Sequence, residues 1–399
     1  MSEWKRHQLR ELCTDIIDCV NKTAPISEEE TPYRMLRTSD IREGRINLEN
    51  LNCVSEETFR KWSRRGALQN GDVILTREAP LGEVGLVRDA TNLFLGQRLV
   101  LFRANPLVCD NRFLLYALLH HDNKQAIIAK GVGATVLHLR VPECEKIEIS
   151  APNVEIQRRI ADILSAYDDL IENNQKQIKL LEEAAQRLYR EWFVELRFPG
   201  HETVPVVDGV PEGWEQKTLD DIAVESGRGE KKENRQQYDV YLPIDCLPKH
   251  SLSYIETAKI EDAESSLVGF AEGDILFGAM RPYFHKVVIA RHTGLTRSTC
   301  FVLNARNEVM WAYVVMLLFS KDAVDYATQN SVGTTMPYVR WKDMRQMPVL
   351  VPSVDVVKRF QMLIKPMMTK AMRLAEQMKD AQEARDRLLP KLMSGEVEV

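Results

Sequence analysis

The sequence predicts an α+β protein in which two globular heads are joined by two long antiparallel coiled-coil helices, internally duplicated with pseudo-twofold symmetry. Three observations predict it. An amphipathic stripe runs from Asn153 to about Val194, a second stripe repeats it 200 positions later, and the blocks that precede the two stripes share short motifs.

The first block, residues 1–151, carries short β-branched and aromatic runs (Val73 to Thr76, Val84 to Val87, Leu99 to Phe102, Lys146 to Ser150) bounded by Gly, Pro and Asn, the pattern of strands and turns. Between them, Asn111 to Ala129 has helical spacing, with Phe113, Leu114, Leu118 and Ile127 for its buried face. The block therefore reads as α+β.

Residues 152–196 form the first coiled-coil helix. Steps of four and three place Ile160, Leu164, Tyr167, Ile171, Asn174, Ile178, Leu181, Ala185, Leu188 and Trp192 on one seam. Pro152 precedes it, Asn153 caps it, and Glu155 lies where the helix dipole favours an anion. At 1.5 Å per residue, roughly 40 residues make a rod of about 60 Å. Residues 197–213, rich in Pro, Gly and Val, make a linker.

The second block, residues 214–351, repeats the first. Trp4 and Leu9 match Trp214 and Leu219, Gly71-Asp72-Val73-Ile74-Leu75 matches Gly273-Asp274-Ile275-Leu276-Phe277, and Gly133-Ala134-Thr135 matches Gly333-Thr334-Thr335. The offset drifts across these matches, so loops changed length. Residues 352–394 form the second helix, where Pro352, Ser353 and Asp355 repeat the start and Phe360, Ile364, Met367, Ala371, Leu374, Met378, Ala381, Leu388 and Leu392 repeat the seam. Packing the two stripes on each other is the economical way to keep both dry. Asn174 and Arg385 either fix register on the seam or are partly exposed; the pattern allows both. Pro366 predicts a kink or a delayed start of the second helix.

At 399 residues, with 44% hydrophobic and 28% charged, the chain has ordinary globular composition and length for two or three domains. Its longest apolar run, Trp311 to Phe319, is half of a membrane span, and the N-terminus has no apolar signal core, so a cytoplasmic protein without a membrane partner is expected. Seven cysteines without CxxC spacing argue against a disulfide framework or structural zinc. A net charge of −5 means that any DNA-binding surface must concentrate its cations on one face.

Motifs for chemistry are missing. No phosphate-binding G-x-x-x-x-G-K-[ST] or dinucleotide G-x-G-x-x-G is found, Gly227-Arg228-Gly229 is too short to count, and no nucleophile elbow or H-E-x-x-H helix occurs. Asp72 and Asp274 each follow Gly before a strand, which favours a turn-forming role over a metal site. No catalytic residue, no metal and no cofactor bound by this chain are expected.

What remains is recognition. Both heads place polar and basic side chains in corresponding loops: Arg77 against Arg281, Tyr283 and Lys286; Gln97 and Arg98 against Arg297; Thr135 against Thr334 and Thr335. Arg and Gln read guanine and adenine edges, while hydroxyls and loop N–H groups hold phosphates. Each residue alone fits a solvated surface better; their recurrence in both heads shifts the balance towards binding.

The string IQRRIADILSAYDDLIENNQKQIKLLEEAAQRLYREWFVELRFPGHE resembles the central conserved region of specificity subunits of type I restriction-modification systems. Pro211-Glu212-Gly213-Trp214 and the GDVIL, GAT and GTT motifs resemble that family's flanks, so the resemblance spans the chain. It implies a non-catalytic subunit whose two target-recognition domains each read half of a bipartite, asymmetric site in double-stranded DNA, with the helices as a ruler for the spacer. It also implies two modification (methyltransferase) subunits carrying S-adenosylmethionine and methylating adenine, and two motor-nuclease restriction subunits using ATP and Mg²⁺. Arg158, Arg159, Gln175, Lys179 and Arg187 on the outer helix face would be partner contacts or plain solvated surface. A coiled-coil adaptor and a stand-alone nucleic-acid enzyme remain the alternatives.

Overall fold

The computed structural model describes residues 4–399, so that residues 1–3 of the first block lie outside the described part. The chain mixes helix and strand and divides into two compact units, Met1–Asp169 with Gln382–Val399, and Leu170–Ala381. Its two long helices are Val154–Tyr189 and Val354–Ser394, and each unit holds a part of both.

The first unit is built on an antiparallel sheet with strands in the order Cys13–Asp18, Leu99–Ala104, Val73–Arg77, Leu81–Leu86. Successive side chains of a strand point to opposite faces, and this sheet uses both. Val73, Leu75, Val100 and Phe102 join a core with Phe113, Tyr116, Ile160, Leu164, Leu392 and Met393, which brings both long helices onto that face. Ile74, Leu99 and Leu101 enter a second core with Leu36 and Leu95. A short ladder pairs Lys5–Gln8 with Glu148–Ala151.

The second unit has the same order in its main sheet: Ala223–Glu225, Cys300–Ala305, Ile275–Gly278, Val287–Ile289. Ile275, Phe277, Ile289 and Leu303 face a core with the apolar helix Trp311–Leu318 and the long helices, while Leu276, Val288 and Val302 face another. Glu215–Thr218 pairs with Pro348–Val351. The smaller sheets differ between the units. The first has three strands, Asn52–Cys53, Arg34–Leu36 and Leu93–Leu95; the second has four, Arg228–Glu230, Leu267–Phe270, Gly294–Arg297 and Val240–Tyr241.

Two local expectations change. The helical stretch from Asn111 to Ala129 is two helices, Asn111–Leu119 and His121–Ala129, because His120 takes ψ 133° and the Asn123 amide donates to the Ala117 carbonyl at 2.7 Å. Pro366 does not delay the second long helix, which starts at Val354 and continues to Ser394. Pro366 is exposed, and the carbonyl that loses its N–H partner is that of Met362, itself 75% exposed, so water can replace the bond.

The seam residues divide between the units. In the first, Ile160 and Leu164 are buried, Tyr167 and Leu388 half-buried, and Arg385 Nη1 donates to Asp168 Oδ1 at 2.7 Å. Tyr116 donates to the other oxygen of Asp168 at 2.6 Å. Burial works against the Arg385 charge, but the hydrogen bond and the charge of Asp168 outweigh it and hold the guanidinium pKa above its ordinary value. In the second unit Ile171, Ile178, Phe360, Ile364, Leu374 and Met378 are buried, while Leu181, Leu188 and Met367 are half-buried beside them. Met368, next to Met367, takes the fully covered place. Phe360 meets Trp192 at 5.7 Å and Phe193 at 4.8 Å between ring centres, and Asn174, 2% exposed, donates to Gln377 Oε1 at 3.3 Å. Late residues of the first helix segment thus meet early residues of the second.

One buried acid stands out in the second unit. Glu182 is 5% exposed, and its Oε1 accepts from Ser251 Oγ at 3.1 Å, the Leu252 N–H at 3.0 Å and Ser253 Oγ at 2.9 Å. Burial pushes its carboxyl pKa up to about 7, against the lowering effect of these donors. Because the folded-state value is raised, the group's stabilising contribution is full below the ordinary carboxylate range and is lost as pH rises through 7. Glu182→Gln keeps an acceptor without the charge, so the variant should be more stable than the parent by on the order of 3 kcal/mol well above pH 7, with the difference vanishing near pH 4. Thermal unfolding at pH 5 and pH 8 checks this; a variant less stable at pH 8 contradicts it.

Candidate nucleic-acid interface

Both units close a loop in the same way at the end of the main sheet. In the first, Val132 and His138 exchange backbone hydrogen bonds of 2.9 Å, His138 also bridges to Glu78, and the Leu139 N–H donates to the Arg77 carbonyl at 2.9 Å. In the second, Val332 and Tyr338 exchange bonds of 2.9 and 3.0 Å, Tyr338 bridges to Met280, and the Val339 N–H donates to the Ala279 carbonyl at 3.0 Å. The tips between these ties are exposed and carry Thr135 in one unit and Thr334 and Thr335 in the other. Each tip also exposes an apolar side chain, Val136 at 49% and Met336 at 53%. Beside the tips, Ala79 and Arg281 both precede proline and both adopt positive φ, 49° and 51°.

The turns that open the strands Val73–Arg77 and Ile275–Gly278 are set by two aspartates. Gly71 and Gly273 take φ of 93° and 87°, a region open to glycine at little cost, and Asp72 and Asp274 follow them. Asp72 accepts the Gln69 N–H at 2.8 Å and Asp274 the Ala271 N–H at 2.8 Å. Arg103 adds two bonds of 2.9 Å to Asp72, and Asn304 one of 2.9 Å to Asp274. Both carboxylates are buried and hydrogen-bonded within turns.

The hydrogen bonds also fix which residues correspond. The Arg77 N–H donates to the Arg98 carbonyl at 2.8 Å, and the Ala279 N–H to the Thr299 carbonyl at 2.9 Å. Arg77 therefore corresponds to Ala279, Arg98 to Thr299 and Ala79 to Arg281, so the arginines are not repeated between the units.

Arg77 is turned inward: its Nη1 donates to the Leu139 carbonyl at 3.1 Å and its Nη2 reaches Cys19 Sγ at 4.0 Å. Gln97 accepts from Thr23 at 3.0 Å, and Arg98 is exposed with Nη2 3.4 Å from Glu78. In the second unit Arg281 is brought onto the tip, its N–H donating to the Pro337 carbonyl at 2.7 Å and its Nη2 to the Thr335 carbonyl at 3.2 Å. Tyr283 is half exposed, and Phe284 beside it carries Lys249 Nζ 4.4 Å above its ring. Lys286 donates to the Ile244 carbonyl at 2.6 Å. Arg297 is exposed but shares a depression with Glu261, Asp262 and Glu264, a setting that weakens its pull on phosphate. The structure thus gathers Arg281, Thr334 and Thr335 at one tip and sets Lys286 and Arg297 on other partners.

A second basic surface in this unit escaped the sequence reading. Arg228, Lys231 and Lys232 are exposed along the strand Arg228–Glu230 and the 3-10 turn Lys232–Gln237, followed by exposed Gln236 and Gln237. The signal was the density of cations between Arg228 and Arg235, which has no counterpart in the first block and so falls outside a search for repeats. Among the described residues, no group of three His, Cys, Asp or Glu side chains is placed to hold a metal ion, and no helix is long and apolar enough to cross a membrane.

A family described as the type I restriction modification DNA specificity domain matches residues 1–183. The type I restriction enzyme MjaIX specificity subunit of Methanocaldococcus jannaschii is 26% identical over 367 residues, covering 87% of this chain and 82% of that protein. The HindI specificity subunit of Haemophilus influenzae is 20% identical with both chains covered in full. Among solved structures, the type I restriction-modification S subunit from M. genitalium aligns with a TM-score of 0.59 and 16% identity, covering 98% of this chain and 96% of that one, a likeness of fold.

The placement of the arginines predicts opposite behaviour on truncation. Arg77→Ala should destabilise the chain by about 1–3 kcal/mol, since it removes an internal strut to the Leu139 carbonyl. Arg98→Ala, which removes only an exposed ion pair, should cost under about 1 kcal/mol. Denaturant unfolding of both variants checks this, and equal small losses would contradict the inward role of Arg77.

Proposed function

We propose that this chain, which belongs to the DNA specificity-subunit family of type I restriction-modification systems, reads a bipartite, asymmetric site in double-stranded DNA, one half with each unit. The observation that carries this reading is the doubled construction. One chain holds two units with the same main-sheet order and the same loop closure, while the polar side chains at the corresponding positions differ. A single-headed binder has no use for a second copy; a reader of two unlike half-sites does.

In this reading residues 1–151 and 214–351 are the two target-recognition domains, 197–213 the linker, and 152–196 and 352–394 an antiparallel coiled coil relating them by a pseudo-twofold axis. The helices set the spacer and dock two modification subunits. At 1.5 Å per residue the Val154–Tyr189 helix is about 54 Å long, more than one DNA turn of about 34 Å, which supports the ruler. Arg281, Tyr283, Thr334 and Thr335 of one domain and Gln97, Arg98 and Thr135 of the other contact DNA, hydroxyls and loop N–H groups favouring phosphate. Arg77 supports its loop from within, while Lys286 is held by the Ile244 carbonyl away from the tip. The chain itself is non-catalytic and binds no cofactor. S-adenosylmethionine, ATP and Mg²⁺ act on two modification and two restriction subunits, in the cytoplasm.

Insertion of seven residues into each long helix, at positions that keep the seam in phase, should change the spacer of the methylated motif and leave both half-sites as they were. Mapping methylated sites for parent and variant, each with the modification partner, reads this out. An unchanged spacer with a folded variant contradicts the ruler.

A further inference from the structure

The two units are alike where the main sheet and the tip loops lie, and unlike in the segment that follows the first strand of that sheet. Between Cys13–Asp18 and Arg34–Leu36, the first unit has residues 19–33 without a regular element, including exposed Glu28, Glu29 and Glu30. The second unit has, between Ala223–Glu225 and Val240–Tyr241, the strand Arg228–Glu230 and the turn Lys232–Gln237. The landmarks correspond, since Arg34–Leu36 runs parallel to Leu93–Leu95 and Val240–Tyr241 runs parallel to Gly294–Arg297. Features shared by both units are suited to what both half-sites share, the sugar-phosphate backbone. Sequence that differs between half-sites has to be read where the units differ, which includes the side chains near the tips and, with a different backbone course as well, this segment.

We propose, resting on the DNA reading above, that the turn from Arg228 to Gln237 is the sequence-reading element of the second unit, with Gln236 and Gln237 facing adenine and Arg228, Lys231 and Lys232 holding the flanking phosphates. The turn is built to present these groups. Asn234 Nδ2 donates to Glu230 at 3.1 Å, Arg235 Nη1 donates to the Glu261 carbonyl at 3.0 Å, and the Asn234 N–H donates to the Lys231 carbonyl at 3.0 Å. These bonds use up Glu230, Asn234 and Arg235 internally. Arg228, Lys231 and Lys232 are exposed and form no ion pair within 4 Å among the described residues, although Arg228 adds to the Asn234 and Tyr238 hydrogen bonds in lowering the Glu230 carboxyl pKa, and Glu233 of the same turn is also exposed. The two glutamines are exposed without a side-chain hydrogen bond. A glutamine amide can donate through its NH2 to adenine N7 and at the same time accept through its carbonyl oxygen from adenine N6 in the major groove. The strand Arg228–Glu230 is the edge of its sheet, and a Cβ at Gly229 would meet nothing within 4 Å, so a duplex can approach this edge closely.

The test is selection of bound duplexes from a randomised library by the full chain assembled with its modification partner, at two salt concentrations. Gln236→Ala/Gln237→Ala should keep one half-site intact and lose preference at an A·T pair of the other by about tenfold or more. Lys231→Ala/Lys232→Ala should weaken binding to all sequences alike and flatten the salt dependence by about two phosphate contacts. Two unaltered half-sites with the glutamine variant overturn the proposal, as does an unchanged salt slope with the lysine variant. If the parent chain with its partner selects no sequence, the DNA reading itself fails.

Discussion

The structure depends on covering the apolar stripes of two helices too long to be buried by one small core. A stripe left in water forfeits roughly 25 cal/mol for each Å² of apolar surface, and here each unit covers the part of each helix it holds. In the second unit Phe360 sits among Tyr189, Trp192 and Phe193, and the sheet residues Phe277 and Leu303 belong to the same core. In the first, Ile160, Leu164, Leu392 and Met393 join the sheet core. Helix packing and head packing are therefore one cooperative event in each unit.

Polar groups placed within these seams select among alternatives rather than add stability. Burying an ion pair such as Asp168–Arg385 recovers little free energy beyond its desolvation cost, but removing either partner strands the other. Tyr116 ties the same carboxylate to the head, and Asn174 with Gln377 does similar work in the other unit. Shifting either helix by one turn would leave these groups without partners, which gives a physical reason for polar residues on an otherwise apolar seam.

Local periodicity made the helices and most strands legible in the sequence, because a stripe that repeats every three or four residues needs no knowledge of the tertiary fold. Side-chain direction at the loops was not legible. Arg77 looks like an exposed reader beside a strand, and only the fold shows it turned onto Leu139. Glu182 looks like one of many acids on a helix surface, and its burial comes from the Ser251–Ser253 segment far along the chain. The tip loops are legible by their repetition, whereas Arg228 to Gln237 has no counterpart in the first block and so no repeat to mark it. Pro366 does not delay the helix, because the carbonyl that loses its partner lies where water can reach it.

The central claim is that one chain carries two independent readers. Methylome sequencing of DNA from cells expressing it with its modification partner tests this most directly. The expected result is one split motif, two short unlike half-sites around a gap of fixed length. A contiguous motif, or no new methylation from a soluble and associated pair of proteins, would contradict it.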